Sequence, residues 1–159
     1  MKQSINDSTD FLATLNEGQR EICDSAYAWH KNLQAKLASA PKQDKPKNAS
    51  IAELKKVTLN ASPVKFADRC LVLRGEPGTG KTYSIRAFIG LQGVRPLLTA
   101  STNKAARQLS KACKTKAVTI HSALNLIPTA AKLYQRFTPD LSEFNVIVCD
   151  EGSMIDDDL

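Results

Sequence analysis

The feature that most constrains this chain is a glycine-rich octapeptide, GEPGTGKT, at residues 75–82. It fits the pattern GxxxxGK[ST], follows the apolar run Cys70–Leu73 and precedes a segment with helical periodicity. Gly75, Gly78 and Gly80 permit backbone conformations and close approaches that a Cβ atom would prevent, so the loop amides can surround a phosphate. The sequence therefore predicts a strand, a phosphate-binding loop and a helix, in that order.

The residue types of this loop suit the phosphates of ATP or GTP. We predict that Lys81 reaches the β and γ phosphates and is catalytic, and that the Thr82 hydroxyl is a ligand of Mg²⁺. The start of the following helix adds a favourable partial charge beside the phosphates. A turn of purely structural use is the alternative, which the flanking strand and helix disfavour. The predicted nucleotide-binding residues of the loop are Gly75, Glu76, Pro77, Gly78, Thr79, Gly80, Lys81, Thr82 and Tyr83.

An acidic pair, Asp150 and Glu151, follows a second apolar run, Phe144–Cys149. In open parallel sheets ligands bind at the carboxyl ends of the strands, which would place this pair beside the phosphate loop. Phosphoryl transfer to water requires a positioned metal ion and an oriented water molecule. We therefore assign Asp150 to magnesium and Glu151 to catalysis through the water, against the alternative of an ordinary acidic loop.

Strand and helix patterns alternate along the chain, which predicts an α/β fold with a parallel sheet flanked by helices. An N-terminal amphipathic helix over Leu15–Leu37 is expected, with a capping box formed by Thr14 and Glu17. Residues 1–14 are interpreted as a tail and 15–159 as the domain, with a polar, lysine-rich surface insertion at 38–67 that could include a short helix at 51–59. The further predicted elements are a helix over Thr82–Leu91, a strand over Pro96–Ala100, a helix over Asn103–Lys114 and a strand over Phe144–Cys149.

Composition excludes some classes of protein. The chain has 159 residues, of which 42% are hydrophobic, enough for one core. No apolar stretch approaches the roughly 20 residues of a membrane span, and the N-terminus lacks the apolar segment of a signal peptide, so we expect a cytoplasmic protein without a membrane partner. The net charge of +6 favours a polyanionic partner only weakly. The scattered cysteines, Cys23, Cys70, Cys113 and Cys149, favour reduced, mostly buried thiols over a zinc site.

Five segments in a fixed order resemble the superfamily 1 DNA helicases, and among them the RecD and Dda group, superfamily 1B. The segments are LNEGQ (15–19), GEPGTGKT (75–82), LLTASTNKAARQLS (97–110), TIHSAL (119–124) and VIVCDEGSM (146–154). The resemblance implies a RecA-like P-loop fold, ATP and Mg²⁺ as cofactors, and 5′-to-3′ movement on single-stranded DNA driven by ATP hydrolysis. Whether the process served is replication or repair stays open.

The resemblance also assigns roles to residues outside the loop. It implies that Gln19 contacts adenine, which would favour ATP over GTP; an ordinary solvated glutamine is the alternative. It implies that Ser101, Thr102, Asn103 and Lys104 grip the DNA backbone, in keeping with the phosphate affinity of a helix start. Thr102 could instead be only an N-cap. His121 is a further candidate for contact with DNA, with a structural cap as its alternative.

The motifs that follow Glu151 in these helicases have no counterpart in the eight residues that follow it here. The resemblance places a second RecA-like domain and its arginines in that later part, and such arginines contribute on the order of 10³ to 10⁵ in rate. We therefore interpret the chain as an incomplete domain that binds ATP better than it hydrolyses it, completed by a second RecA-like domain or by replication proteins. A stand-alone nucleotide- or DNA-binding module, or a subunit of another P-loop ATPase, is the alternative.

Overall fold

The structure is a computed structural model that describes residues 11–39, 66–128 and 133–154. The elements in chain order are helix α1 (Glu17–Ala38), a 3₁₀ turn (Phe66–Arg69), helix α2 (Lys81–Ile89), strand β1 (Pro96–Ala100), helix α3 (Asn103–Cys113), strand β2 (Ala117–Thr119), the one-turn helix α4 (Ile120–Ala123), strand β3 (Leu126–Pro128), strand β4 (Leu133–Gln135), strand β5 (Val146–Asp150) and a final 3₁₀ turn (Gly152–Met154).

Three parallel strands form the main sheet, in the order β2-β1-β5. Leu98 pairs with Ala117 on one side and with Val148 on the other, and the last residues of β1 and β5, Ala100 and Asp150, are partners. Residues that follow these two strands are therefore neighbours at the carboxyl edge of the sheet. The predicted α/β class, with a parallel sheet flanked by helices, is confirmed and is consistent with a RecA-like P-loop domain.

A small antiparallel pair, β3 with β4, lies outside this sheet. No pattern in the sequence predicted it, because its strands have only three residues each. Strands this short carry too few alternating positions to give a periodic signal.

Helix α1 begins at a capping box made by Asn16 and Gln19, not by Thr14 and Glu17 as predicted. The backbone N–H of Gln19 donates to Asn16 Oδ1 (2.9 Å), and the backbone N–H of Asn16 donates to Gln19 Oε1 (3.2 Å). Asparagine is as good an N-cap as threonine, and glutamine can replace glutamate in the return bond, so two residues of this segment could begin the helix. The Thr14 hydroxyl donates instead to the carbonyl of Phe11 (2.7 Å).

The core lies between the helices and the sheet. α1 packs on α2, α2 on α3, and α3 on β1. Leu98 and Leu109 are completely or almost completely buried in this core. The indole of Trp29 packs against it, as the apolar stripe of α1 predicts, and Trp29 Nε1 donates to the Asp68 carbonyl (3.0 Å). His30 is also buried and meets Phe88 edge to face, with ring centroids 6.1 Å apart.

The predicted strand at Cys70–Leu73 is absent: this segment has no regular secondary structure and takes no part in either sheet of the described residues. Val72 is 70% exposed, and only Leu73 packs against the core. The apolar run has the composition of a buried strand, but a strand exists only where a neighbouring chain accepts its hydrogen bonds. In the described part, β5 lies at the sheet margin and no residue of 70–73 pairs with it.

Other expectations fall partly outside the described residues. Most of the insertion at 38–67, including the possible helix at 51–59, lies outside the described residues. Residues 1–10 of the predicted tail lie outside them as well. Phe11 and Leu12, at the end of that tail, pack against the core. None of the helices formed by residues 11–39, 66–128 and 133–154 has both the length and the apolarity required to cross a bilayer.

Candidate nucleotide site

The phosphate loop connects the segment Cys70–Leu73 to α2. Gly78 and Gly80 have φ values of 82° and 84°, in the left-handed region that favours glycine. A Cβ at Gly80 would also collide with the Gln19 side chain, whereas nothing lies within 4 Å of the corresponding position at Gly78. The two glycines are thus required for different reasons: Gly80 for backbone conformation and close approach, Gly78 for conformation alone.

Lys81 folds back across the loop. Its Nζ donates to the carbonyl oxygens of Gly75 (2.7 Å) and Glu76 (2.8 Å). The same Glu76 carbonyl accepts a hydrogen bond from the Thr79 hydroxyl (2.8 Å). The ammonium group is therefore held inside the loop, where a phosphate oxygen could replace a carbonyl as its acceptor.

Among the described residues, no side chain caps the N-terminus of α2. Gly80 is the N-cap residue and has no side chain that could accept from the first amides, and the first backbone bond of the helix is from Ser84 N–H to the Gly80 carbonyl (3.0 Å). The N–H groups of a first helical turn lack intrahelical acceptors, and they favour a bound anion. Together with the lysine and the glycines, these donors form a cradle that suits phosphate oxygens.

Gln19 lies directly against this cradle. Its side-chain nitrogen occupies the space that a Cβ of residue 80 would need, while its Oε1 accepts a hydrogen bond from the Asn16 backbone N–H. The oxygen is thus used for capping α1, and the nitrogen faces the loop. The structure brings the predicted adenine contact to the phosphate loop, although the two are about sixty residues apart in sequence.

Tyr83, the last of the predicted nucleotide-binding residues, belongs to a cluster with Thr14, Phe11 and Arg86 that no sequence pattern indicated. Its hydroxyl is 2.9 Å from the hydroxyl of Thr14, and its ring lies 4.5 Å from the ring of Phe11. The guanidinium of Arg86 lies 4.1 Å from the centre of the Phe11 ring, a cation–π contact. Nothing in the polar sequence around residues 1–14 indicated that Phe11 would pack beside the loop.

The acidic pair lies at the carboxyl edge of the sheet, as predicted. Asp150 ends β5, and Glu151 follows it with φ of 56°, a left-handed conformation that few residues other than glycine adopt. The backbone N–H of Glu151 donates to Asp150 Oδ1 (3.1 Å). The Ser101 hydroxyl, just beyond β1, donates to Glu151 Oε2 at 3.5 Å.

A magnesium ion bound between nucleotide and protein needs only one or two protein oxygens, the rest being phosphate and water. The Thr82 hydroxyl and the Asp150 carboxylate are oxygen ligands of the required kind, at the helix start and at the sheet edge. In the described part of the chain, no three His, Cys, Asp or Glu residues cluster as a metal site formed by protein alone. The donor set therefore fits a nucleotide-bound ion.

The turn from β1 into α3 carries the predicted DNA-binding residues. The Thr102 hydroxyl accepts from the Ala105 backbone N–H (3.2 Å), so Thr102 is the N-cap of α3. Asn103 and Lys104 are exposed on the first turn of the helix. The hydroxyl of Ser101 points toward Glu151, which the sequence did not indicate.

His121 lies in α4 and is half-buried. The cap of α4 is Thr119, whose hydroxyl accepts from Ser122 N–H (3.2 Å), so His121 does not have the capping role considered as its alternative. α4 contacts β1, β2 and β3, close to the carboxyl end of the sheet. Because α4 directly follows β2, His121 is thus at the same edge of the sheet as Ser101 and Glu151.

The thiols are all free, as expected. Cys23 and Cys113 are buried, Cys149 is half-buried and Cys70 is exposed. Burial, followed by the nearby Asp150 carboxylate, raises the pKa of Cys113 from 9.0 to about 11, against a smaller lowering by Arg86. Burial also raises the pKa of Cys23, with a smaller contribution from Asp24.

The loop with positive-φ glycines, its inserted lysine and an acidic strand end define the class of P-loop nucleotide-binding domains. Comparison with known protein families supports this class. Residues 59–159 match the family model described as AAA domain, and the chain belongs to that family.

Two similar proteins are helicases. The chain is 37% identical over 101 residues to the ATP-dependent DNA helicase dda of Enterobacteria phage T4, and 34% identical over 94 residues to the ATP-dependent RecD2 DNA helicase of Deinococcus radiodurans. The matches cover 58% and 57% of this chain, but only 23% and 13% of the two relatives. No solved structure gives a significant match. The resemblance to the superfamily 1B helicases of the RecD and Dda group is confirmed.

Proposed function

We propose that this chain is the ATP-binding part of a DNA helicase that couples ATP hydrolysis to 5′-to-3′ movement on single-stranded DNA. The observation that carries the proposal is the Lys81 ammonium group held inside a loop with two left-handed glycines at the uncapped start of α2. The relatives are ATP-dependent DNA helicases by name, and the chain spans less than a quarter of either. The activity and substrates of the whole protein are therefore part of the proposal.

In the proposed site, phosphate oxygens replace the Gly75 and Glu76 carbonyls as acceptors from Lys81, and the first amides of α2 donate to the same phosphates. Thr82 and Asp150 would hold a magnesium ion, which would neutralise charge that develops on the phosphates. Glu151 orients the attacking water. Gln19 donates from its side-chain nitrogen to the base, because its oxygen is already used by the Asn16 backbone.

Single-stranded DNA is proposed to lie along the turn that follows β1. Asn103 and Lys104 are exposed there, and the helix start of α3 adds partial positive charge. Ser101, Thr102 and His121 belong to the same edge of the sheet. The net charge of +6 is in keeping with a polyanionic ligand.

The nucleotide site is tested by titrating the chain with a fluorescent ATP analogue, with Mg²⁺ and with EDTA. Lys81→Ala removes charge-assisted hydrogen bonds to phosphate, and we expect about a 10- to 100-fold loss of affinity. Lys111→Ala, an exposed lysine in the last turn of α3, is the matched control and should bind as the unaltered chain does. Unchanged affinity in Lys81→Ala would show that the site assignment is wrong. Binding is measured because hydrolysis is expected to require arginines from a second domain.

The DNA part is tested separately by fluorescence anisotropy with a labelled single-stranded oligonucleotide at several salt concentrations. Lys104→Ala should weaken binding for every sequence and lower the salt-dependence slope by about 1. Lys111→Ala again serves as control. Nucleotide binding without any DNA binding would favour a stand-alone nucleotide-binding module. The direction of movement depends on hydrolysis, so it is tested with the chain supplied with a second RecA-like domain, on duplexes with a 5′ or a 3′ single-stranded tail. Unwinding from the 3′ tail alone would contradict the proposal.

A further inference from the structure

Strands β1 and β5 are adjacent in the sheet and end side by side. The turn after β1 is proposed to bind DNA, and Glu151 after β5 is proposed to orient the attacking water. Ala100 of β1 and Asp150 of β5 are register partners, so the next residues, Ser101 and Glu151, face each other across the sheet edge. The Ser101 hydroxyl donates to Glu151 Oε2 at 3.5 Å. This hydrogen bond links the turn that is proposed to bind DNA to the carboxylate that is proposed to orient the attacking water.

Neither residue is placed by chance packing. Ser101 is fixed between the buried end of β1, where Ala100 is completely buried, and the N-cap residue Thr102 of α3. Glu151 has a left-handed backbone (φ 56°), which in a residue with a side chain costs free energy and is maintained only by surrounding contacts. In the described part of the chain, three contacts are made by Glu151: its N–H donates to the Asp150 carboxylate, its carbonyl accepts from the Met154 N–H (2.9 Å), and its side chain accepts from the Ser101 hydroxyl.

From this geometry we infer that Ser101 is a positioning residue that couples occupancy of the DNA turn to the orientation of the Glu151 carboxylate. A backbone phosphate bound at Thr102–Lys104 would accept hydrogen bonds from the first turn of α3. Ser101 is separated from that turn only by the N-cap residue Thr102. Displacement of its hydroxyl would change the hydrogen bond that orients Glu151. In the reverse direction, a γ phosphate that reorients Glu151 would move Ser101 and alter the DNA turn.

This inference rests on the proposed function and adds a specific residue to it. Coupling between two sites is reciprocal: if the nucleotide state changes DNA affinity by some factor, DNA changes nucleotide affinity by the same factor. The quantity to measure is therefore a ratio of affinities, which requires no hydrolysis.

The experiment measures the affinity of the chain for a labelled single-stranded oligonucleotide with saturating ADP and with a non-hydrolysable ATP analogue. We expect the ratio of the two dissociation constants to be about fivefold or more for the unaltered chain, a typical allosteric coupling. In Ser101→Ala the ratio should fall to near 1. Ser101→Thr keeps a hydroxyl and should retain the ratio, which a merely structural role for the small side chain would not explain. Ser110→Ala, a half-buried serine later in α3, is the matched control.

A double-mutant cycle then identifies the partner. If Ser101 acts through Glu151, Ser101→Ala should have no further effect on the ratio in a Glu151→Ala background. A nucleotide-dependent ratio that survives Ser101→Ala overturns the inference and leaves the proposed function standing. Failure of the unaltered chain to bind the oligonucleotide in either state contradicts the DNA part of the proposed function, and the coupling with it.

Discussion

At the scale of single residues, the most constrained position is Gly80. It combines a left-handed backbone with a close approach of the Gln19 side chain, so α1 and the phosphate loop meet at this one residue. Gly93 has the same φ of 84° but nothing within 4 Å of its Cβ position. A comparison of these two glycines therefore separates the effect of the left-handed backbone from the effect of the close side-chain approach.

We predict that Gly80→Ala loses nucleotide affinity by at least about tenfold, because the added methyl group displaces Gln19 and strains the loop. Gly93→Ala should cost roughly 1 kcal/mol of stability through its backbone alone and leave nucleotide affinity unchanged. Titration with a fluorescent ATP analogue and urea unfolding measure the two effects. Equal nucleotide affinities in the two variants would show that the contact between Gln19 and the loop is unimportant for binding.

A second prediction at this scale concerns Cys113, whose pKa is raised to about 11 mainly by burial. The folded state favours the neutral thiol, so its contribution to stability is fully present below pH 9 and is lost as the pH rises toward 11. We expect Cys113→Ala to reduce the loss of unfolding free energy between pH 9 and pH 11. Urea unfolding at several pH values measures this slope. Cys70→Ala, at an exposed thiol, should leave it unchanged; an identical slope in all three proteins would contradict the assignment.

At the scale of elements, α1 is the element whose start is most sharply defined, by the reciprocal bonds between Asn16 and Gln19. The sequence indicated the helix and its amphipathic character. It did not decide which of two capping residues would begin the helix. That choice depends on where the preceding residues lie. The Thr14 hydroxyl donates to the Phe11 carbonyl and lies beside the Tyr83 hydroxyl of α2.

Asn16→Ala is expected to lower the unfolding free energy by about 1 kcal/mol through loss of the N-cap. Asn32→Ala, at an exposed position inside the same helix, should be neutral or slightly stabilising because alanine is the better helix former. Chemical denaturation followed by circular dichroism compares the two. A destabilisation by Asn32→Ala as large as that by Asn16→Ala would contradict the capping assignment.

At the scale of the whole molecule, the described sheet has an open margin at β5. Ile147 on that strand is 55% exposed, and Val72 of the unpaired segment 70–73 is 70% exposed. Exposed apolar residues on a strand at a sheet margin favour pairing with another chain. We expect the 159-residue polypeptide to self-associate at high concentration.

Ile147→Lys should weaken this self-association, because a charged side chain on a strand at the sheet margin disfavours pairing. Tyr134→Lys removes an apolar side chain of the same 55% exposure from the separate β3–β4 pair and is the matched control. Sedimentation velocity over a range of concentrations measures the association. If both substitutions weaken it equally, general surface apolarity and not the β5 margin is responsible.

The sequence by itself determined five of the local elements of the fold: α1, α2, β1, α3 and β5. The bounds of β1 were predicted as found, α3 differs by one residue, and α1, α2 and β5 differ by one or two. The reason is that apolar periodicity, glycines and capping residues act over a few neighbouring positions. The resemblance in five ordered segments added the family, which the match over residues 59–159 confirms.

Only the tertiary structure decided the contacts between segments distant in sequence. It shows that Cys70–Leu73 pairs with no strand of the described part, that Phe11 packs on Tyr83, and that Gln19 lies against Gly80. It also brings Ser101 to Glu151, through the register of β1 with β5. Periodicity records which face of an element is buried, but not which other element covers it. A strand pairing or a side-chain hydrogen bond across the sheet edge depends on how the elements pack together.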